Sequence, residues 1–396
     1  MSTGRSRRLL HLDVLRGVAI LLVLGHHPPL ELDSEAVGFE FFKGWARGGW
    51  VGVDLFFVLS GFLIGTLLLQ EVQQTGKLDL KRFLIRRGFK IWPGYILFLV
   101  ANSLHRLLRF PGPVTERLSG TWPNWLHIQN YTGYWGSPFS HTWSLAVEEH
   151  FYLLLPLVIW LFIRYSAARP SKGLVQVLLA VLLICPVFRV ATALVFPEFN
   201  FWIHQAPSHL RMDSLAAGVL LAWAVQHYPE KLGLLFRFKS TLLVLGLVFL
   251  SPAFFVPREF FWMHTLGFTV ESFGSVLLVL WGVAQSRSTV KLPCWSGCFA
   301  SLLAYVGLYS YSIYLWHEPY GQATVLRLTK LSPVELPYGV TLIVFIIVSL
   351  VLGVASYRLV ETPSLRMRER FFPTLFEAAQ PLPKAELAEV STPKQG

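Results

Sequence analysis

The strongest constraint on the fold is a series of long apolar segments that recur from one end of the chain to the other. A helix that crosses the hydrocarbon core of a bilayer needs roughly 20 mostly apolar residues. The segments that meet this requirement lie near residues 13–30, 50–70, 90–108, 143–163, 173–195, 210–227, 240–256, 265–284, 301–320 and 336–358. We therefore predict an all-α integral membrane protein with about ten transmembrane helices, because helices satisfy their own backbone hydrogen bonds in lipid.

The composition supports this prediction. Only 14% of the 396 residues are charged and 54% are hydrophobic, whereas soluble domains carry about 25% charged residues. We expect one transmembrane domain over residues 1–370, followed by a disordered cytoplasmic tail at 371–396. Much of the net charge of +11 comes from short loops between apolar segments, a placement that sets membrane orientation and argues against nucleic-acid binding.

The distribution of Lys and Arg predicts the orientation. Basic residues are concentrated after the second, fourth, sixth and tenth apolar segments, and loops of this kind face the cytoplasm. Both termini are therefore expected on the cytoplasmic side of a plasma (inner) membrane. Arg16 lies inside the first segment, and no small-residue cleavage site follows that segment. We expect it to remain as an uncleaved membrane helix.

Arg16 and His27 are the first candidate functional residues. Eleven residues at 100° each make three turns plus about 20°, so both side chains lie on one helix face, roughly 16 Å apart along the axis. Ionisable residues inside a membrane are costly and usually face a cavity or a partner. In the alternative interpretation, Arg16 extends to the cytoplasmic interface and His27 caps the outer end of the helix.

A second group lies at the start of the fourth apolar segment, where Thr142 and Ser144 are candidate helix N-caps. Glu148 and Glu149 are adjacent, so their side chains point about 100° apart on a helix. One carboxylate can therefore face the protein interior while the other reaches a loop or water. Alternatively, both glutamates stabilise the positive end of the helix dipole.

A third group is the basic cluster formed by Arg82, Arg86, Arg87 and Lys90. Such a cluster binds anionic lipid or sets topology, or it holds phosphate groups, to which Arg makes bidentate contacts. The composition of the cluster does not decide between these roles.

The three cysteines form no metal or disulfide pattern. Cys294 and Cys298 are four residues apart, but no second Cys or His pair completes a zinc site, and an odd number argues against a disulfide framework. We expect structural roles for the cysteines and no bound metal.

Taken together, these segments resemble the membrane-bound acyltransferase 3 family over nearly the whole chain. The matching stretches are Leu12–Ala19 with His27, Val53–Phe62, the basic cluster with Pro93 and Tyr95, Thr142–Tyr152, Arg211 with Asp213, Tyr311–His317, and Glu361–Pro363. Each stretch alone is weak evidence, but their order along the chain is highly specific.

The resemblance implies O-acylation, usually acetylation, of carbohydrates or other hydroxylated molecules, with acyl-CoA as the cytoplasmic donor. It identifies Arg16 and His27 as the Arg–His pair that the family requires. Supporting or substrate-binding roles are expected for Trp143, Ser144, Tyr152, Arg211, Asp213 and His317. Lys90 replaces a frequent arginine, which keeps the charge but removes the planar fork. Some relatives carry an extracytoplasmic hydrolase-like domain. Without room for one, this chain is expected to acylate its acceptor directly or to pass the acyl group to a separate protein.

The expected mechanism divides the reaction between the two ends of the first helix. The polyanionic CoA nucleotide stays at the cytoplasmic face, where the groups available to bind it are Arg16, Arg86, Arg87 and Lys90. His27 then removes the proton of an acceptor hydroxyl as it attacks the thioester, or it carries the acyl group transiently. Glu149 or Glu148 is expected to orient His27 or to stabilise its imidazolium.

Two other functions are compatible with the same residues. A transporter or flippase would use the buried Arg and His as a substrate or proton path, and a non-catalytic membrane assembly factor would need neither. The lack of a strong internal repeat weakens the transporter hypothesis. The sequence favours a saccharide acceptor but leaves its identity, the acyl chain length and the oligomeric state open.

Overall fold

The computed structural model describes residues 10–29, 39–133, 139–165, 170–286, 294–332 and 336–373. Every regular element in these ranges is helical. The principal helices are α1 (Leu10–His26), α2 (Phe39–Gly48), α3 (Val51–Thr75), α4 (Leu80–Arg109), α5 (Trp143–Tyr165), α6 (Pro170–Val195), α7 (Met212–His227), α8 (Lys239–Leu250), α9 (Phe268–Ser286), α10 (Cys294–Leu308), α11 (Ser310–Trp316), α12 (Gln322–Leu331), α13 (Tyr338–Ser356) and α14 (Thr362–Phe371). Most of the predicted tail, from residue 374 onward, lies outside the described residues.

Shorter helical turns connect these elements. They cover Val114–Ser119, Trp122–Trp125, Gln129–Thr132, Ser140–Thr142, Phe201–His204, Ser208–Leu210, Pro229–Leu235, Phe236–Phe238 and Pro252–Phe255. Wider π-helical turns cover Met263–Gly267, His317–Gly321 and Tyr357–Glu361.

The structure confirms an all-helical chain, and helices overlap each of the ten predicted apolar segments. The spans long and apolar enough to cross a membrane are Val51–Thr75, Ser140–Tyr165, Lys172–Val195, Pro229–Phe255, Met263–Ser286 and Tyr338–Phe371. Gly297–Leu308 and Ser310–Trp316, bent by 58°, make a seventh if they are one span. Helices α1 and α7 are shorter, with 17 and 16 residues. The total of ten spans and the side of the termini stay predictions.

Helix α3 packs against α1, α7 and α9, and glycines allow it to approach α1 and α7 closely. A Cβ atom at Gly61 would lie 2.0 Å from the Leu215 carbonyl oxygen of α7, and one at Gly52 would lie 2.4 Å from the Ala19 carbonyl oxygen of α1. Small residues at helix contacts are a common means of association in membranes. These contacts hold α1, which carries Arg16 and ends directly before His27, against the centre of the protein.

Replacing Gly61 with alanine is expected to lower the free energy of unfolding by about 1–3 kcal/mol, because the added methyl group overpacks the contact between α3 and α7. Thermal unfolding of the detergent-solubilised protein, followed by tryptophan fluorescence, measures the effect. Gly233→Ala is the matched control, since no atom lies within 4 Å of a Cβ at that position. Equal melting temperatures for the two variants would contradict the close packing.

Candidate active site

A cavity lies where α1, α3, α4, α5 and α11 converge. Its empty space, including the open mouth, is about 760 Å³. The polar and charged side chains that line it are Arg16, Ser60, Arg87, Lys90, Ser144, Glu148, Glu149, Ser310, Tyr311 and Tyr314. Several motifs that are distant in sequence therefore meet at one site.

The cations of the cavity come from two helices. Arg16 is on α1, and its guanidinium is 4.0 Å from the Asp13 carboxylate, with a third of the Arg16 side chain exposed. Lys90 of α4 is held more firmly, with its Nζ 2.5 Å from Glu361 Oε2. Because a partly exposed guanidinium whose counter-ion is 4.0 Å away keeps donors available, Arg16 is well suited to bind an anion.

Glu148 belongs to a hydrogen-bonded network at the cavity wall. Tyr152 donates to Glu148 at 2.5 Å and also shares a hydrogen bond with Ser60. The Arg87 guanidinium lies 4.1 Å from the centre of the Tyr152 ring and 3.9 Å from the Glu148 carboxylate. This network joins α3, α4 and α5 and fixes the position of Arg87.

Glu149 lies beside this network but differs from Glu148 in its contacts. Its side chain is buried, and its Oε1 atom has no hydrogen-bond partner among the residues that the structure describes. A buried carboxylate oxygen without a partner is costly. Glu149 is therefore the cavity carboxylate with an oxygen available to a ligand.

A group of ionisable side chains surrounds the other end of α1, and we call it the histidine cluster: His27, His141, His317 and Glu318. His27 immediately follows α1, and its Nδ1 atom is 3.4 Å from Nε2 of His317. The His141 ring is centred 5.1 Å from the His317 ring. His141 and His317 are buried.

The contacts of the two neighbouring imidazoles determine which nitrogens carry protons. Nδ1 of His317 is 2.7 Å from the Tyr314 carbonyl oxygen, so it is the donor of that bond and its Nε2 is a free acceptor. We accordingly assign the proton of His27 to Nδ1, which faces both His317 Nε2 and the Val23 carbonyl oxygen at 3.1 Å. Nε2 of His27 is then unprotonated and can act as a base.

Tyr314 lies between the cavity and the histidine cluster. Its side chain lines the cavity, and its hydroxyl is 2.7 Å from Ser144 Oγ and 2.5 Å from the His141 carbonyl oxygen. Its ring is centred 5.5 Å from the rings of both His141 and His317. One aromatic side chain thus contacts both parts of the site.

The structure places several predicted residues away from the cavity lining. Arg86 pairs with Glu369 at 3.0 Å. Trp143 is buried, with edge contacts to two phenylalanine rings. Arg211 forms a buried ion pair with Asp54 of α3 at 2.5 Å. Asp213 forms a second buried ion pair, with Arg189 of α6 at 2.7 Å. The last two pairs join α3, α6 and α7.

The expected partnership between His27 and a glutamate of α5 differs from the observed contacts. The side-chain partner of His27 is His317, whereas Glu148 contacts Tyr152 and Arg87. Sequence reasoning also missed the roles of Tyr314 and Glu318. Tyr314 lies within the stretch Tyr311–His317 named above, and Glu318 directly follows that stretch. Only the folded chain brings these residues to His27.

The acyltransferase domain model matches residues 9–358. The chain is 29% identical over 374 residues to O-acetyltransferase OatA of Staphylococcus aureus, covering 90% of this chain and 57% of that protein. It is 26% identical over 373 residues to peptidoglycan O-acetyltransferase OatA of Listeria monocytogenes, covering 89% and 55%. The chain thus spans little more than half the length of these relatives. No solved structure is significantly similar to it.

Proposed function

The chain belongs to the acyltransferase family, and from this premise we propose that it is an O-acetyltransferase that acts across the membrane. Acetyl-CoA binds in the cavity, and a hydroxyl group of a cell-envelope saccharide receives the acetyl group beside His27. The observation that carries this proposal is the arrangement of α1, which brings Arg16 to the cavity and His27 to the histidine cluster, with Tyr314 between them.

Arg16, Arg87 and Lys90 supply the positive charge for the donor. CoA phosphates are polyanionic, and guanidinium groups bind phosphate through paired hydrogen bonds. The distance of roughly 16 Å between Arg16 and His27 along α1 allows an extended pantetheine arm to connect a phosphate site with the imidazole. Lys90, already paired with Glu361, contributes mainly to the local potential.

His27 is the proposed general base. Its Nε2 takes the proton of the acceptor hydroxyl as the hydroxyl oxygen attacks the thioester carbonyl, and the C–O bond forms. The C–S bond then breaks, and the departing thiolate receives the proton from the imidazolium. The products are an O-acetyl ester and CoA thiol, so atoms and charge balance. His317 holds His27 in the required tautomer through the contact at Nδ1.

The connection between α4 and α5 is a suitable acceptor surface. The exposed aromatic side chains of its described residues include Trp122, Trp125 and Tyr131, which are 44–50% exposed. Aromatic faces of this kind stack on sugar rings, and both named relatives are O-acetyltransferases, one of them of peptidoglycan. We propose a peptidoglycan-type acceptor and a multi-pass location in the plasma membrane, with both termini cytoplasmic.

A labelling experiment distinguishes an acetyltransferase from a transporter or flippase. Membranes that contain the protein are supplied with acetyl-CoA labelled in its acetyl group, with and without peptidoglycan fragments. We expect acceptor-dependent formation of labelled O-acetyl ester that mild alkali releases. A flippase would consume no acetyl-CoA, so equal donor consumption in membranes with and without the protein would refute the proposal.

Arg16→Lys is expected to raise the KM for acetyl-CoA about tenfold, since loss of a bidentate phosphate contact costs on the order of 1–2 kcal/mol. Arg86→Lys is the matched control, because Arg86 pairs with Glu369 outside the cavity lining. Initial rates at varied acetyl-CoA concentration measure both variants. An unchanged KM in Arg16→Lys would assign Arg16 to membrane orientation alone.

A further inference from the structure

The histidine cluster contains a set of ligand atoms in the arrangement that a transition metal requires. One ligand atom from each of His27, His317 and Glu318 lies within 4.8 Å of the other two. His141 lies beside this group of three, with its Nδ1 atom 3.5 Å from Glu318 Oε2. The helical backbone is interrupted at Glu318, with φ −124° and ψ 129°, and its carboxylate lies at the cluster.

The separation between the two imidazole ligands matches a tetrahedral zinc site. Zinc binds imidazole nitrogen and carboxylate oxygen at about 2.0–2.2 Å. Ligand atoms at the corners of such a tetrahedron are therefore about 3.4 Å apart. The separation between His27 Nδ1 and His317 Nε2 is 3.4 Å. Imidazole and carboxylate together also form a donor set typical of zinc.

His141 supplies an independent indication of a ligand. Its ring is 3% exposed, and neither of its nitrogens has a hydrogen-bond partner within the described ranges. Leaving a buried polar group unsatisfied is unfavourable, so such groups normally bind a partner. His317 has the complementary feature, a hydrogen bond from Nδ1 to the Tyr314 carbonyl, which is the second contact that metal-binding histidines commonly make.

We propose that the histidine cluster binds one zinc ion through His27, His317 and Glu318, with His141 against the Glu318 carboxylate, and that zinc inhibits the enzyme. Zinc takes the lone pair of His27 Nδ1, so the proton of the neutral imidazole is carried by Nε2 instead. Nε2 can then no longer accept the proton of the acceptor hydroxyl. The zinc site is inferred from the positions of the ligand atoms. The inhibition, in contrast, rests on the proposed function of His27 as the general base. This proposal departs from the expectation, based on the cysteines, that the chain binds no metal.

Zinc binding by the purified full-length protein tests the site. The protein carries an affinity tag without histidine, and a fluorescent chelator competes for the metal. We expect one zinc per chain, with His141→Ala and Glu318→Gln each weakening the affinity at least about tenfold. His227→Ala, which removes an exposed histidine stacked on Trp223, should bind as the wild type does. Absence of binding, or equal affinity in all variants, would overturn the site.

Activity measurements distinguish failure of the inhibition from failure of the proposed function. Zinc should abolish acetyl transfer by the wild-type protein, a chelator should restore it, and His141→Ala should resist inhibition at the same zinc concentration. Stoichiometric binding without inhibition would overturn the inhibitory role. Normal zinc binding by a protein that transfers no acetyl group at all would refute the proposed function and leave the site standing.

Discussion

His27→Ala is expected to lower the rate of acetyl transfer by about 10²–10⁴-fold, the usual contribution of a general base. The side chain lies just past the end of α1 and contributes to the site through its ring nitrogens. The protein should therefore still insert and accumulate normally. The measurement is the initial rate of O-acetyl ester formation per amount of protein in the membrane.

His227→Ala serves as the control for this variant, since His227 is an exposed residue at the end of α7. It should keep the wild-type rate. If His27→Ala kept the wild-type rate at normal abundance, His27 would not be the base, and the proposed mechanism would be wrong.

His317→Phe is expected to lower kcat about 10²-fold while leaving the KM for acetyl-CoA unchanged, the order of magnitude for impaired acid–base catalysis. Phenylalanine keeps a ring in the buried space but removes the Nε2 acceptor that faces His27 Nδ1. The His27 tautomer is then no longer fixed. Steady-state kinetics at saturating acceptor separate the two constants.

His317→Gln is the conservative comparison, because the amide oxygen of glutamine can accept a hydrogen bond from His27 Nδ1. It should recover part of the lost kcat, which a purely structural role of the ring would not explain. If the phenylalanine and glutamine variants were equally active, or if only KM changed, His317 would not be a positioning residue for His27.

The sequence predicted the helical segments well because the hydropathy of a membrane helix is local information. It predicted one helix over 301–320, whereas the chain bends by 58° between α10 and α11 and forms a π-helical turn at His317–Gly321. Those bends depend on packing against other helices. Hydropathy does not encode them, although they bring His317 and Glu318 to the end of α1.

Part of the candidate site was also predictable, because the spacing of residues along one helix is local information. The helical spacing of Arg16 and His27 is local. The structure places Arg16 in the cavity lining and His27 in the histidine cluster, while their roles in the reaction stay predictions. The partner of His27 is not local, since His317 is 290 residues away in the chain. Glu148 or Glu149 was the expected partner because carboxylates commonly orient catalytic histidines. The structure assigns Glu148 to a network with Tyr152 and Arg87 instead.

Lys90 replaces an arginine that is frequent in the family, and its contacts show why a lysine fits at this position. Its ammonium group makes one short contact, 2.5 Å, with Glu361 and lies 5.2 Å from the centre of the Tyr357 ring. A single-point contact does not need the planar fork of arginine. The lysine thus joins α4 to the C-terminal helices while it also lines the cavity.

In the proposed mechanism, acetyl transfer connects the two ends of α1 across the membrane. Sealed vesicles of known orientation test it directly, with labelled acetyl-CoA outside and peptidoglycan fragments enclosed. When the cavity end of the protein faces the donor, we predict labelled O-acetyl ester inside, and none in vesicles of the opposite orientation. Transfer only when donor and acceptor share one compartment would contradict the account.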